Sequence, residues 1–315
     1  MKRTTMRRVA GSIAVVTALS GAAACGASGS GGSGGSGKGA GASGGSATHV
    51  SPVAALRSAE KSTDGADSAR VESTTTMGSM MSMKADGVLG WHDGLTGNLV
   101  ITYTGGTMAA TMRQLGTTSM QARYLPDAYY ARMGEQFARQ AGGKHWIRYG
   151  YEDLARLGGS SGAYLKDQMQ NTTPNQSVKL LLASGDVKKV GTERVRGVDT
   201  THYAGTVDVG DLARKNSDLS AGQLAGLKKQ LTQAGVGTET VDIWLNDKNL
   251  LVKAVEKGTM ASGEYAQTAY YSDYGVKVSA PKPPASDTED FKDLLKKQGL
   301  TPGSGDTSTG SGSSS

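Results

Sequence analysis

After Gly65 the spacing of apolar side chains settles to two, and this limits the fold more than any motif does. Val71, Ser73, Thr75 and Met77 alternate with Arg70, Glu72, Thr74 and Thr76. Leu99, Ile101 and Tyr103 alternate with Asn98, Val100 and Thr102. Met120, Ala122 and Tyr124 alternate with Gln121 and Arg123, and Pro126-Asp127 then turns the chain into Tyr129, Ala131 and Met133. Residues 144–149 continue the series, as do residues 187–195, 200–209, 238–245, 250–256 and 264–271. Period two places alternate side chains on opposite faces of a strand, so each segment has one covered and one wet face. Short Gly, Asp and Asn turns between them predict an antiparallel meander.

Helices interrupt the meander. Ser51-Pro52 opens one, with Ser51 as N-cap and Pro52 at N1, where a missing N–H costs nothing. Thr173-Pro174-Asn175-Gln176 reads as a capping box before Val178, Leu181 and Leu182, with Gly185 as the left-handed stop. Leu224, Leu227 and Leu231 mark another amphipathic helix ending near Gly235, and Asp287 is placed to cap a last helix carrying Phe291, Leu294 and Leu295. The expected class is α+β: a large, mostly antiparallel sheet with helices packed on one face.

Composition reduces the domain count to one. The chain has 315 residues, of which 46 are glycine, where ordinary usage would give roughly 22. Much of the excess lies in residues 26–47, which are little besides Gly, Ser and Ala and cannot build a core. The expected organisation is an export signal (1–24), a cysteine with a tether (25–49), one domain (50–300) and a disordered tail (301–315). The net charge is +6. Four of those charges, Lys2, Arg3, Arg7 and Arg8, fall in the signal, so the mature chain keeps 6 − 4 = +2. That leaves no concentrated basic face for nucleic acid.

The N-terminus has the three parts of an export signal: that basic stretch, the apolar residues 11–19, and the small residues Gly21-Ala22-Ala23-Ala24. The apolar run is about half the ~20 residues that would span a bilayer. Cys25, the only cysteine, follows at once, so intrachain disulfides and thiolate metal sites are excluded. Leu19-Ser20-Gly21-Ala22-Ala23-Ala24-Cys25 resembles a bacterial lipobox, which implies cleavage before Cys25 and acylation of its thiol. The chain would then be anchored to the cell membrane on its extracytoplasmic face. Two acyl chains hold a protein stably where one does not. The Gly/Ser tether gives the domain a typical reach of roughly 25 Å.

A wider resemblance rests on Val198-Asp199-Thr200-Thr201-His202-Tyr203 through Val207-Asp208, on Asp242-Ile243-Trp244-Leu245, on Leu251-Val252-Lys253 and on Tyr271-Ser272-Asp273-Tyr274-Gly275. These segments resemble the actinobacterial LppX/LprA/LprF/LprG-type lipoproteins, which are similar to the LolA/LolB carriers. The resemblance implies a strongly curved half-barrel whose helices close the concave face over an apolar cavity, and a lipid or other amphiphile as ligand. On that reading the cavity lining is Val71, Met77, Leu99, Ile101, Tyr103, Met112, Met120, Tyr124 and Met133 from the first half. Leu181, Leu224, Leu227, Leu231 and Ile243 complete it from the second.

Catalytic patterns fail on context. Gly158-Gly159-Ser160-Ser161-Gly162 fits G-x-S-x-G, but a polar helical stretch precedes it where a nucleophile elbow needs a strand. Gly29-Ser30-Gly31-Gly32-Ser33-Gly34 matches a dinucleotide fingerprint with no strand before it, and Ser58-Ala59-Glu60-Lys61 lacks the further motifs of its class. His49, His92, His145 and His202 never reach metal-ligand spacing. The expectation is a binding protein rather than an enzyme, monomeric and without a cofactor. Eight methionines fall between Met77 and Met133. They suit a lining that conforms to acyl chains, or equally gap-filling in a core with two Phe; Met77, Met80, Met81 and Met83 as Cu(I) thioethers are a third reading. An anchored interaction or sensor module with a solid core is the rival function. Lys188, Lys189, Arg194 and Arg196 read as attraction for anionic head groups or as a solvated strand edge.

Overall fold

The computed structural model describes residues 51–157, 166, 169, 173–210, 221–233, 235–260 and 263–297. The export signal, Cys25, the tether, the G-x-S-x-G segment and the tail lie outside them. One twelve-stranded sheet organises the rest. A first meander comprises β1 (Ser68–Met77), β2 (Met81–Gly90), β3 (Thr96–Gly105), β4 (Ser119–Leu125), β5 (Ala128–Arg132) and β6 (Trp146–Gly150). A second comprises β7 (Lys188–Val195), β8 (Val198–Asp208), β9 (Thr238–Leu245), β10 (Leu251–Met260) and β11 (Gly263–Ser272). They join where β1 pairs antiparallel with β11 along eight residues, Arg70 to Met77 against Ser272 to Tyr265. A short β12 (Thr288–Asp290) pairs parallel with β6, the one parallel pairing among the described residues. The sheet is not closed: β12 and β7 are its two edges.

The alternation read from sequence matches the inner face of this sheet. Val71 lies opposite Tyr271 and Gly87, Thr75 opposite Gln267 and Met83, and Ile101 opposite Ala85 and Met120. Helices cover that face. They are α1 (Pro52–Asp64), α2 (Gly106–Gln114), α3 (Glu135–Gln140), α4 (Tyr151–Leu157), α5 (Asn175–Ala183), α6 (Ala221–Gln233) and α7 (Phe291–Lys297). Leu56 of α1, Leu181 of α5 and Leu231 of α6 are fully buried in a core over β8–β10. Met112 of α2, Phe137 of α3 and Leu154 of α4 belong to a second core over β1–β6, against which Phe291 and Leu294 of α7 pack. The expected α+β architecture, a large sheet with helices on one face, is the one observed.

Local signals hold in part. Ser51 caps α1, its hydroxyl accepting from the Ala54 N–H at 3.2 Å, and Gly185 takes a left-handed φ of 67° just beyond α5. The Thr173 capping box does not form. Pro174 holds the N-cap position without a side-chain bond, and Asn175 instead ties α5 to the Glu60 carbonyl of α1 at 3.2 Å. Asp287 does not cap α7. Its carboxylate accepts from the backbone N–H of His145 at 2.9 Å and contacts the imidazole at 2.7 Å, and β12 intervenes before the helix. β2, α2 and α3 carry no clean signal, because Met-Gly-Ser-Met-Met-Ser-Met and the Gly/Thr-rich start of α2 give neither period.

The β3–α2 corner depends on Gly106, whose φ is 78° and whose missing Cβ would lie 2.6 Å from the backbone of Met80 and Met81. Gly106→Ala adds left-handed strain to a backbone collision, so a loss of about 2–4 kcal/mol is expected. The neighbouring Gly105 has an extended backbone and 3.4 Å of clearance from Ser82. Gly105→Ala should therefore change stability by less than about 1 kcal/mol. Paired urea titrations of the two variants check the contrast.

Candidate functional site

The inner face is the candidate site, and it carries two apolar fields, with Tyr271 packed against both, and a polar seam that crosses the strands at their junction. The first field is tyrosine- and methionine-rich. Tyr124 meets Tyr129 edge-on with ring centroids 5.0 Å apart, Tyr129 meets Tyr149 at 5.8 Å, and Tyr149 meets Phe291 of α7 at 4.7 Å. Successive strands bring these rings together, since Tyr124 pairs with Tyr129 and Tyr129 with Tyr149. Burial raises the phenol of Tyr103 to about 12 and lifts those of Tyr124, Tyr129, Tyr149 and Tyr151 as well. The hydroxyls of Tyr129 and Tyr151 are buried and have no hydrogen-bond partner among the described residues. A buried polar group left so costs about 1–3 kcal/mol.

Met77, Met81 and Met112 are buried in the same field, with Met80, Met83, Met108 and Met260 packed against it. The second field, over β8–β10, is aliphatic: Val207, Val241, Ile243, Leu251 and the leucines of α5. Between them the seam crosses the sheet through Glu256 of β10, Gln267 of β11 and Thr75 of β1, which are register partners in turn. The Thr75 hydroxyl donates to Gln267 Oε1 at 3.2 Å. Ser177 of α5 donates to Glu256 Oε1 at 2.5 Å, and the Tyr265 hydroxyl reaches Oε2 at 3.5 Å. Glu239 lies one row on, opposite Gly258, which itself pairs with Tyr265. Its two carboxyl oxygens are buried without a partner. Burial pushes both carboxyls above their ordinary range, Glu239 further helped by Glu256 beside it.

Nine of the fourteen residues read from sequence as lining, Val71, Met77, Leu99, Ile101, Tyr103, Met112, Met120, Tyr124 and Met133, fall in the first field. Leu181, Leu231 and Ile243 fall in the second, where the half-buried Leu224 packs against them. The side chain of Leu227 lies outside the described residues. The fold brings the two sets to one face of one sheet but keeps them in separate clusters. Sequence reasoning passed over Glu239 and Glu256. The signal was there, since each is a carboxylate occupying the inward register of an otherwise apolar strand, Glu239-Val241-Ile243-Leu245 and Ala254-Glu256.

The outer face does other work. Depressions of about 310 and 520 Å³ open on it. They are lined by hydroxyl and charged side chains such as Glu72, Lys84, Asp86 and Lys257, which suit water better than an acyl chain. The turn between β7 and β8 bends over this face. Arg196 bonds Glu72 at 2.8 Å and lies 3.8 Å from the Tyr270 ring, where four strand spacings in a flat sheet would separate β8 from β1 by roughly 19 Å. His202 stacks on Trp244 at 4.2 Å and contacts Asp242 at 2.7 Å, with Lys253 on the same indole at 3.8 Å. The segments behind the sequence resemblance thus fix strand packing. His92 and His145 pair with carboxylates elsewhere. No group of three or more His, Cys, Asp or Glu able to hold a metal ion occurs among the described residues.

The chain is 60% identical over 253 residues to a 31.2 kDa protein of Streptomyces griseus encoded between rplA and rplJ, covering 80% of this chain and 83% of that one. It is 57% identical over 245 residues to a candidate lipoprotein of Streptomyces coelicolor, with 78% and 77% covered. The chain belongs to this Streptomyces lipoprotein family. No family model matches it. Among solved structures it is similar to the lipoprotein LppX of Mycobacterium tuberculosis, with 17% identity, a TM-score of 0.45, and 73% of this chain and 98% of that one covered. No helix among the described residues of this lipoprotein is long and apolar enough to cross a membrane.

Proposed function

We propose that this lipoprotein is held on the extracytoplasmic side of the cell membrane by lipid on Cys25. We further propose that it binds a lipid or other amphiphile between the inner sheet face and its helices. The observation that carries the reading is the chemistry of the first field, where adaptable methionines share one buried cluster with Tyr129 and Tyr151, whose phenols have no partner among the described residues. Methionine side chains re-pack around chains of different length, and the phenols offer donors to an ester or hydroxyl on the ligand. A C16–C18 chain supplies roughly 10 kcal/mol of gross burial before entropy costs. The function needs no reactive group. The large apolar side chains exposed among the described residues, Val100, Val190 and Val198, are scattered singly as on any surface, which does not favour the rival sensor module.

Native mass spectrometry of the full chain purified from a lipid-containing host tests the proposal. A mass excess that organic extraction removes is the expected result, with a melting temperature that falls on extraction and recovers when lipid extract is returned. Protein that is repeatedly free of excess mass and indifferent to added lipid would overturn it.

A further inference from the structure

The amphiphile reading leaves open what kind of head group the interior receives, and the polar seam bears on that directly. Glu239 and Glu256 are both essentially without solvent exposure, at 0% and 1%. No Lys, Arg or His side chain is buried among the described residues, and the remaining buried carboxylate, Glu289, is already paired with Lys144 and Lys297 at 2.7 and 2.9 Å. Among the described residues the interior therefore holds two unpaired acids and no base.

The two carboxyls are not equivalent. Glu256 receives donors from Ser177 and Tyr265, so half of its charge-stabilising partners are in place. Glu239 receives none among the described residues, and on the adjoining strand its register partner is Gly258, which brings no side chain of its own to the row. Diagonal neighbours on adjacent antiparallel strands lie about 7–8 Å apart at the backbone, so long side chains of this kind converge on one position between them.

We propose that Glu239 and Glu256 together hold the cationic head of the bound amphiphile, a primary ammonium seated over Gly258. The assignment rests on the amphiphile reading and narrows it. An ammonium carries three donors and no acceptor, which matches the two unpartnered oxygens of Glu239 plus one of Glu256. A carboxylate or phosphate head would meet two acids and no cation, and a buried charge without a counter-charge is strongly disfavoured. An ammonium entering leaves the site neutral when one of the two acids yields its proton to solvent and the other keeps its own.

The test is calorimetric binding of three twelve-carbon probes, dodecylamine, dodecanol and dodecanoate, to delipidated full-length protein. The expected result is dodecylamine at least tenfold tighter than dodecanoate. Glu239→Gln should cost dodecylamine at least tenfold while leaving dodecanol within twofold. Glu256→Gln carries the same comparison if the first variant does not fold. Equal affinities for amine and carboxylate, or variants that leave the amine unaffected while dodecanol still binds, would overturn the ammonium assignment and leave the amphiphile reading standing. Failure of all three probes to bind would overturn both.

Discussion

Cys25→Ser is expected to move the protein from the membrane fraction to the soluble fraction while leaving its melting curve unchanged. The thiol of Cys25 is the only one in the chain, and it is the atom that a diacylglyceryl donor must alkylate; a serine hydroxyl is far less nucleophilic. Removing it removes the chain–bilayer contact, worth ~0.8 kcal/mol for each buried methylene. The domain should be indifferent, because a single cysteine makes no intrachain disulfide and residues 26–47 have the Gly/Ser composition of a flexible linker. Fractionation with mass spectrometry of the N-terminus reads the first effect. A melting curve on a chain beginning at Thr48 reads the second. Wild-type protein found soluble and unacylated would end the lipoprotein assignment for this chain, and a truncated chain that does not fold would end the modular one.

The second large effect is a slope rather than a loss. Burial holds Glu239 well above its ordinary value of 4.5, with the neighbouring Glu256 adding to the shift. In the unfolded chain Glu239 ionises near 4.5, so above that pH the folded state binds the extra proton. Its contribution to stability is complete below pH 4.5 and is lost as pH rises toward the folded value. Over that window the ligand-free protein should lose about 1.4 kcal/mol per pH unit from this group alone. Glu239→Gln keeps the shape and cannot ionise, so its stability relative to wild type should climb with pH by that amount. Asp287 and Glu289 act at the other end, their values lowered by His145 and by Lys144 with Lys297. Their contributions are present above their ordinary values and fade as pH falls. The ligand-free wild type should thus be most stable on the acid side of neutrality. Melting temperatures across pH 4 to 8 for both proteins decide the matter, and parallel curves would show that Glu239 ionises freely in the folded state.

Strand positions were legible because each strand buries one face only, and a period of two survives wherever that is so. β1, β3, β4 and β9 announce themselves on these grounds. β2 does not. Its inward residues include Met83, Ala85 and Gly87, and the last two are too small to register as apolar peaks. Inward orientation was legible to the same degree: twelve of the fourteen residues read as cavity lining are buried in the two cores on the inner face. Glu239 and Glu256 escaped notice because a single carboxylate in a strand is ordinarily a residue of the wet face, and which face is wet depends on register. A shift of one residue exchanges the faces.

Local physics in the chain itself determined the antiparallel class and the Ser51 cap of α1, and it carries the expectation of an export signal and a Gly/Ser tether. These follow from charge, glycine content, hydrophobic period and one hydroxyl, all readable over a dozen residues or fewer. Tertiary structure alone decided that β1 joins β11, some 190 residues away in sequence, and so placed Thr75 beside Gln267 and Glu256. It also brought Ser177 of α5 onto Glu256, took Asp287 from a helix cap to His145, and buried both carboxyls. Long-range pairing is selected by the sum of many small burials across the whole sheet, and no local window of sequence contains that sum.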